Sequence, residues 1–159
     1  RRVTCPAPHP ALRPVLHRLT IAELTARLAR REVSAREATQ ACLDQIARVD
    51  GDIRAFISHD PADALAQAEA ADQALARGAD FARQPLLGVP IALKDVLAVK
   101  GQPLNCCSKI LGQFRSPYDA TVVEKLKAAG AIVFGRLNMD EFAMGSSTEN
   151  TAFQTTRNP

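Results

Sequence analysis

The chain has 159 residues, of which 47% are hydrophobic and 4% aromatic, and its formal net charge is +3. This length suits one domain with a substantial, mainly aliphatic core. The basic residues are dispersed and no aromatic side chains interleave with them, which argues against a nucleic-acid-binding surface. No apolar run approaches the roughly 20 residues that span a bilayer, so we expect no membrane segment.

Neither the cysteines nor the histidines form a metal-binding pattern. No Cys-x-x-Cys pair occurs, and the three histidines do not cluster along the sequence. A metal site is therefore not expected. The adjacent Cys106 and Cys107 lack a redox motif, so we interpret them as two packed, reduced thiols rather than as a switch. Such thiols fit a reducing cytosol.

Residues 1–18 form a lead that is rich in proline and arginine, and we predict that this lead is disordered. An acid-poor N-terminus that carries arginines is typical of organellar transit peptides. Four prolines within the lead oppose an amphipathic helix, and the sequence lacks an initiator methionine. We therefore favour an incomplete or disordered lead over a targeting signal, and we expect residues 19–159 to form the folded part.

Three helices are predicted before the first strong strand. Capping-box patterns at 20–23 and 34–37 predict two helix N-termini, each followed by apolar residues at helical spacing. We expect the second of these helices to break at Gly51. The Asp-Pro pair at 60–61 predicts a third N-terminus, and this alanine-rich helix should run up to Gly78, which suits the position after a helix end.

A parallel strand–helix–strand unit is predicted in the second half of the chain. The apolar segment 89–96 is predicted to be a strand, and Pro90 favours an edge position or a strand start. A helix should follow from an Asp119 cap to Ala129, and a buried strand is predicted at 131–134. Strand, helix and strand in this order favour a right-handed parallel βαβ unit, so the predicted fold class is α/β.

Lys94 lies in an apolar run, near the C-terminal end of the predicted strand, where open α/β sheets bind ligands. Burial among aliphatic side chains would disfavour the charged ammonium and make this amine a base near neutral pH. The alternative is that the aliphatic stem packs on the core while the ammonium reaches water, and this residue alone favours that alternative. Neighbours in a strand face opposite sides, so we expect Asp95 to orient the backbone or a loop rather than to pair with Lys94.

The block 138–150 contains serines and acidic residues, both of which can take part in catalysis. The serines at 146–147 follow a glycine, but the Gly-x-Ser-x-Gly form and a nearby histidine are absent, so we do not predict a nucleophile there. Asp140 and Glu141 are neighbours that would diverge on a helix, so a catalytic carboxylate pair is not predicted either. Asn138 or Asp140 is interpreted as a helix cap. Core positions are expected for Met139, Phe142 and Met144.

Taken together, the pair Lys94-Asp95, the linking run 116–123 and the block 138–150 resemble the amidase signature family. The lysine–aspartate pair marks the wide family, whereas the block 138–150 is similar to its branch of A subunits of tRNA-dependent amidotransferases. The resemblance covers residues 19–159 and is densest over 85–159. It implies a mixed sheet flanked by helices, of which this chain would hold the N-terminal part.

The resemblance implies a catalytic role for Lys94. That family uses a Ser–cis-Ser–Lys triad, in which a neutral lysine draws a proton through a bridging serine and so activates a nucleophilic serine. By position, Lys94 matches the catalytic lysine, held neutral by burial and by hydrogen bonds to serines. The family's two serines lie in glycine-rich stretches that residues 1–159 do not contain, so we expect no amidase activity from these residues alone. By position, the substrate-pocket loop comprises Met144, Gly145, Ser146 and Ser147.

The resemblance also implies a function and partners. In that branch the A subunit hydrolyses glutamine, a B subunit uses the ammonia with ATP and Mg²⁺ to convert Glu-tRNA(Gln) to Gln-tRNA(Gln), and a C subunit clamps A to B. No cofactor is implied for the A subunit, which meets charged tRNA through the complex. The implied location is the bacterial cytoplasm, or an organelle. Two alternatives remain open: a stand-alone carboxamide amidase of the same family, and a non-catalytic fragment or interaction module.

Overall fold

A computed structural model describes residues 15–159. This part of the chain contains four α-helices and three β-strands, together with two short 3-10 turns at Leu16–Arg18 and Glu141–Ala143. The helices are α1 (Ile21–Ala29), α2 (Ala35–Ile53), α3 (Pro61–Ala76) and α4 (Thr121–Ala128). The strands are β1 (Phe56–His59), β2 (Pro90–Lys94) and β3 (Ile132–Leu137). The predicted α/β class, with N-terminal helices before a mixed sheet, is confirmed.

The predicted lead lies mostly outside the described residues, since 1–14 are not among them. Its last residues, 15–18, are described, and they include the first 3-10 turn, Leu16–Arg18. Among residues 15–159, no helix is both long enough and apolar enough to cross a membrane.

The helix starts follow the sequence patterns closely. The Thr20 hydroxyl accepts the N–H of Glu23 at 3.2 Å, and the Glu23 carboxylate accepts the N–H of Thr20 at 2.8 Å. Ser34 and Glu37 form the same reciprocal pair at the start of α2, at 3.1 and 2.9 Å. Asp60 caps α3, with proline in its first turn. Each box satisfies two N–H groups near the helix start, where the first turn leaves donors without intrahelical partners.

Two predicted helix boundaries are wrong. Helix α2 continues through Gly51, because a single glycine costs a helix only about 1 kcal/mol. The helix ends two residues later, at Ile53, and the next residue, Arg54, turns the chain with a φ of 59° while its N–H bonds the Asp50 carbonyl. The N-cap of α4 is Ala120, and no side chain caps this helix. The Asp119 carboxylate instead accepts one loop N–H and the ammonium of a lysine of α4, a charge-assisted pairing that a backbone cap does not offer.

The sheet has the strand order β1-β3-β2, so β3 is central. Strand β3 is parallel to β2 and antiparallel to β1, which confirms the predicted parallel unit of β2, α4 and β3. Strand β2 begins at Pro90 and lies at an edge of the described sheet, and either position suits the missing N–H of proline. Strand β1 was not predicted. The adjacent ends of β2 and β3 therefore lie side by side.

Two apolar clusters cover the two faces of the sheet. The larger joins α1, α2 and α3 to one face, where Leu28 and Ile132 are among its most buried members. The smaller includes Val123 of α4 and Val133 of β3. Since neighbouring residues of a strand face opposite sides, Ile132 and Val133 belong to different clusters. Helices on both faces hold the sheet, and with it the strand ends that carry the candidate site.

Candidate functional site

Lys94 and the block 138–150 meet at the C-terminal ends of two parallel strands. Lys94 is the last residue of β2 and pairs with Leu137, the last residue of β3. The N–H of Asp95 donates to the Leu137 carbonyl at 3.1 Å and extends this pairing by one step. The chain then enters the block 138–150 directly. The fold therefore brings the two sequence blocks together at an edge where α/β sheets commonly bind ligands.

The side chain of Lys94 is exposed, so the prediction that burial desolvates this amine is wrong for the described residues. Alternation along the strand is the reason, because Leu93 and Asp95 occupy the buried side and are 4% and 1% exposed. Within residues 15–159, the Lys94 ammonium has neither a hydrogen-bond partner nor an ion pair. The amine is therefore accessible to any group that packs against the C-terminal ends of these strands.

Asp95 orients a loop, as predicted, and does not pair with Lys94. Its buried carboxylate accepts the N–H of Cys107 at 3.0 Å and the Nε–H of Arg136 at 3.3 Å. Burial raises the pKa of the Asp95 carboxyl, while the Cys107 N–H and the Arg136 charge act against that rise. Burial likewise lowers the pKa of Arg136, against the opposing effect of Asp95. Each of these two charges therefore depends on the other for its place inside the protein.

Cys106 and Cys107 form a tight turn beside Asp95. Their φ angles are 52° and 51°, and the N–H of Ser108 closes the turn on the Asn105 carbonyl at 2.9 Å, as in a type I′ turn. A left-handed conformation is unfavourable for side chains other than glycine, by about 1–2 kcal/mol per residue. Both thiols are free, and burial raises the pKa of each, which agrees with two reduced thiols.

Asn138 and Asp140 fix the chain after β3, but neither caps a helix as predicted. The Asn138 side-chain oxygen accepts the Thr151 hydroxyl at 2.9 Å, and its amide donates to the Thr156 hydroxyl at 2.9 Å. Asp140 precedes the 3-10 turn Glu141–Ala143 without a side-chain bond to it. So short a turn does not present the set of unpaired N–H groups that a longer helix offers to a cap. These polar side chains instead bind the segment that follows.

The Asp140 carboxylate lies at the centre of the loop that follows the short turn. Its Oδ2 accepts the N–H groups of Ser147 at 3.1 Å and Thr148 at 3.0 Å, and its Oδ1 accepts the N–H of Asn150 at 2.9 Å. The N–H of Asn150, followed by those of the other two residues, holds the pKa of Asp140 below its usual value. The positive charge of Lys94 makes a smaller contribution that lowers the pKa of Asp140 in the same direction.

The four predicted pocket residues lie in this loop at the protein surface: Met144, Gly145, Ser146 and Ser147. Gly145 passes directly against Asp140, since a Cβ atom there would lie 2.5 Å from the carboxylate Oδ2. The Ser147 hydroxyl donates to the Glu149 carboxylate at 2.7 Å. Among the described residues the Glu149 carboxylate is the acceptor for this hydroxyl, and the role of Ser147 as a pocket residue stays a prediction.

A second left-handed turn connects this loop to the cysteine turn. Phe142 and Ala143 have φ angles of 52° and 62°, and the N–H of Met144 closes the turn at 3.1 Å. The N–H of Phe142 donates to the Cys106 carbonyl at 3.0 Å. This turn directs Phe142 and Met144 outward, 37% and 75% exposed, so core positions for these two were wrongly predicted. Met139 is 1% exposed and belongs to the core as predicted.

Sequence reasoning missed the two paired turns and the use of Asp140 as an acceptor for a loop. It also missed a cleft of about 740 Å³ between β1, β3 and residues 99–103, which includes neither Lys94 nor the pocket loop. Arg136 lines this cleft, and its Nη1 and Nη2 have no hydrogen-bond partner within residues 15–159. The sequence did contain one signal for the site. It was a side-chain acceptor just after one strand, together with a loop of small residues after the next strand.

Comparison with known proteins gives a family match over most of the chain. The family profile described as Amidase matches residues 37–159. The A subunit of the glutamyl-tRNA(Gln) amidotransferase of Acidothermus cellulolyticus is 55% identical over 144 residues, which are 91% of this chain and 28% of that protein. The chain therefore spans less than a third of the length of the curated relatives it matches.

Two solved structures are similar to this chain in fold and in sequence. The peptide amidase of Stenotrophomonas maltophilia is 36% identical, with a TM-score of 0.74 over 81% of this chain and 26% of that one. A second chain comes from a vestigial protein complex described as revealing the origins of an s-triazine catabolic enzyme. It is 39% identical, with a TM-score of 0.83 over 89% of this chain and 31% of its own. Lys94, Asp95 and the block 138–150 all lie inside the matched family segment.

Proposed function

The chain belongs to the amidase family, as its sequence motifs predicted, and we propose on this premise that it is part of an A subunit of a tRNA-dependent amidotransferase. In this proposal the intact protein hydrolyses the carboxamide of glutamine, with Lys94 as the base. The observation that carries the proposal is the meeting of Lys94 with the block 138–150 at one edge of the sheet. The 55% identity to the Acidothermus cellulolyticus protein supports the choice of branch.

Lys94 is suited to this role by its place and by its lack of partners. It ends β2, where Asp95 anchors the following turn from the opposite side, so the backbone that carries the amine is fixed. Since no described residue bonds the amine, a serine hydroxyl of the kind the family uses has room to do so. Packing of such groups against the amine would remove water from it and favour its neutral form, which a base requires.

The proposed reaction has two steps, transfer of the acyl group to a serine and then hydrolysis of the acyl-serine ester. A serine oxygen attacks the amide carbon, its proton passes through a second serine to Lys94, and that proton returns to the departing nitrogen, which leaves as ammonia. Water then attacks the acyl-serine ester and releases glutamate. In this scheme Lys94 carries the proton in both steps, and the exposed loop from Met144 to Ser147 faces the substrate.

We further propose that the ammonia is used by partner subunits. A B subunit would bind ATP and Mg²⁺ and activate the misacylated tRNA, and a C subunit would hold A and B together. The protein proposed here would need no cofactor and would act in the cytoplasm of a bacterium. The name of the Acidothermus cellulolyticus relative supports this assembly.

The test is glutaminase activity of the full-length protein in its complex. Lys94→Ala should lower kcat for ammonia release by about 10²–10⁴-fold, the contribution of a positioned base. Lys94→Arg should be as inactive, because a guanidinium does not deprotonate near neutral pH. Lys125→Ala, which removes a lysine of α4 outside the site, should leave kcat unchanged. Full activity of the Lys94→Ala complex would refute the assignment.

A second candidate function is a stand-alone amidase that acts on other carboxamides. The similarity to the peptide amidase of Stenotrophomonas maltophilia favours it. Ammonia release from glutamine and from a peptide amide, each measured with and without partner subunits, separates the two. Glutamine hydrolysis that increases when partners are added supports the amidotransferase, whereas partner-independent peptide deamidation supports the alternative. Residues 1–159 alone are expected to release no ammonia from either compound.

A further inference from the structure

We propose that Asp140 is a positioning residue whose carboxylate holds the loop 144–150 in shape beside Lys94. The proposal rests on the proposed function, because it gives that loop its part in glutamine binding. It concerns how the loop is held, and it assigns Asp140 no contact with the substrate. Three features of the described residues carry it: the bonding of the carboxylate, the tight passage of the chain around it, and its charge relation to Lys94.

The Asp140 carboxylate provides this loop with hydrogen-bond acceptors that a helix or a strand would otherwise provide from its backbone. From residue 144 to 159 the chain has neither helix nor strand, so its N–H groups lack the regular partners of those elements. Ser147 and Thr148 both donate to Oδ2, and successive N–H groups that converge on one anion form an anion-binding concavity. Here the anion belongs to the protein itself. Thr148 has a φ of 60°, an unfavourable conformation for threonine that these bonds help to maintain.

The chain wraps the carboxylate with no space to spare. A Cβ atom on Gly145 would lie 2.5 Å from both the Cγ and the Oδ2 of Asp140, closer than any real contact allows. The φ of Gly145 lies outside the left-handed region, so the site requires glycine for space rather than for backbone conformation. Asp140 therefore fixes the start of the loop by contact with Gly145 and its later part by hydrogen bonds.

The arrangement leaves Lys94 unpaired although a carboxylate lies nearby. The charge of Lys94 acts on Asp140, yet no ion pair within 4 Å joins the two. Both carboxylate oxygens already accept N–H groups from the loop. Asp140 thus shapes the loop next to the amine without forming a close ion pair with it.

The test uses the full-length protein in its complex and the variant Asp140→Asn. An asparagine keeps the size of the side chain but loses the charge and one acceptor, so the loop should loosen. We expect KM for glutamine to rise about tenfold or more while kcat changes by less than about threefold, on the scale of a lost charged hydrogen bond. The matched control is Asp119→Asn, which removes another carboxylate that accepts a loop N–H, and it should change neither constant.

A second variant keeps the test decisive if Asp140→Asn does not fold. Gly145→Ala preserves the carboxylate but forces the loop away from it, and it should raise KM in the same way. The proposal would be overturned if either variant folded and its KM for glutamine were unchanged. It would also be overturned if the variants lowered only the melting temperature and the fraction of active enzyme. The Lys94→Ala complex separates the two claims: its activity decides the role of the amine, whereas the KM of the Asp140 variant decides the role of the loop.

Discussion

Two regions of the molecule are held together by different interactions. The helical region (residues 20–78) relies on helix ladders, two capping boxes and an apolar cluster. The loop region (residues 95–118 and 138–159) relies on side chains that accept backbone N–H groups, chiefly those of Asp95 and Asp140. The described non-glycine residues with left-handed φ are unevenly divided: Arg31 and Arg54 in the helical region, and Cys106, Cys107, Phe142, Ala143 and Thr148 in the loop region.

This difference matters because strained backbone concentrates where the candidate site lies. Left-handed non-glycine residues persist only where surrounding bonds determine them, and such residues cluster at functional sites. In the helical region the two examples end or follow helices, where a left-handed residue is a common stop. In the loop region four of the five form two turns that are bonded to each other, from the Phe142 N–H to the Cys106 carbonyl. The helical region thus supplies the scaffold, and the loop region the shape of the site.

The largest effect on stability should come from breaking the buried ion pair of the loop region. Arg136→Met leaves the Asp95 carboxylate without its cation inside the protein, which should lower the free energy of unfolding by about 3–5 kcal/mol. The matched change in the helical region is Arg36→Met, which removes an exposed pair with Glu69 and should cost at most about 1 kcal/mol. Urea unfolding measures both. Equal losses in the two variants would contradict the contrast between the regions.

A smaller effect on stability should distinguish two cysteines. Replacement by glycine should destabilise the protein at Cys42 but not at Cys106. Cys42 lies within α2, where glycine destabilises by about 1 kcal/mol or more, since backbone freedom and side-chain packing are both lost. Cys106 already has a left-handed φ that suits glycine, so Cys106→Gly should leave stability unchanged or raise it by up to about 1 kcal/mol. Thermal unfolding of both variants gives the comparison. A clear loss of stability in Cys106→Gly would show that the turn is not strained.

The smallest expected effect is a pH dependence confined to the loop 144–150. The pKa of Asp140 in the folded protein lies below its unfolded value, so its contribution to stability is present above the ordinary aspartate range. That contribution should be lost as the pH falls through the lowered pKa, because the protonated carboxyl accepts the three N–H groups poorly. Hydrogen exchange at the amides of Ser147, Thr148 and Asn150, corrected for intrinsic rates, should lose its protection there. Protection that persists in Asp140→Asn would contradict this account.

Local patterns predicted most of the helical region from the sequence. Capping boxes, an aspartate–proline start and glycine after a helix end are each decided by residues that lie within a few positions of one another. Strand β1 was missed because its four residues carry no strong pattern, and its backbone bonds come from β3, which lies far along the chain. The place of Lys94 at a strand end was predicted from the apolar run before it, but its exposure depends on which face of an edge strand it occupies.

The loop region was harder to predict because its determinants are not local. Nothing in the residue types at 106–107 indicates a left-handed turn, for which asparagine or glycine is the usual signal. A hydrogen bond from the Cys107 N–H to the carboxylate of Asp95, which lies well before the turn in the sequence, is part of what holds the turn. Asp140 was interpreted as a helix cap, since an aspartate before a glutamate commonly opens a helix, yet its partners are N–H groups seven, eight and ten positions later. Acceptors that reach across a loop leave no periodic trace in the sequence.

The central place of β3 also governs when the sheet can form during synthesis. Of the three strands in residues 15–159, β3 is the last to be translated, and β1 and β2 each pair with β3 rather than with each other. At about 5–20 residues per second, β1 and β2 emerge from the ribosome seconds before their shared partner exists. During that interval the two edges have no strand to pair with, whereas the helices between and before them can already form. A pause in translation ahead of Ile132 would therefore prolong the stage at which β1 and β2 lack their shared partner.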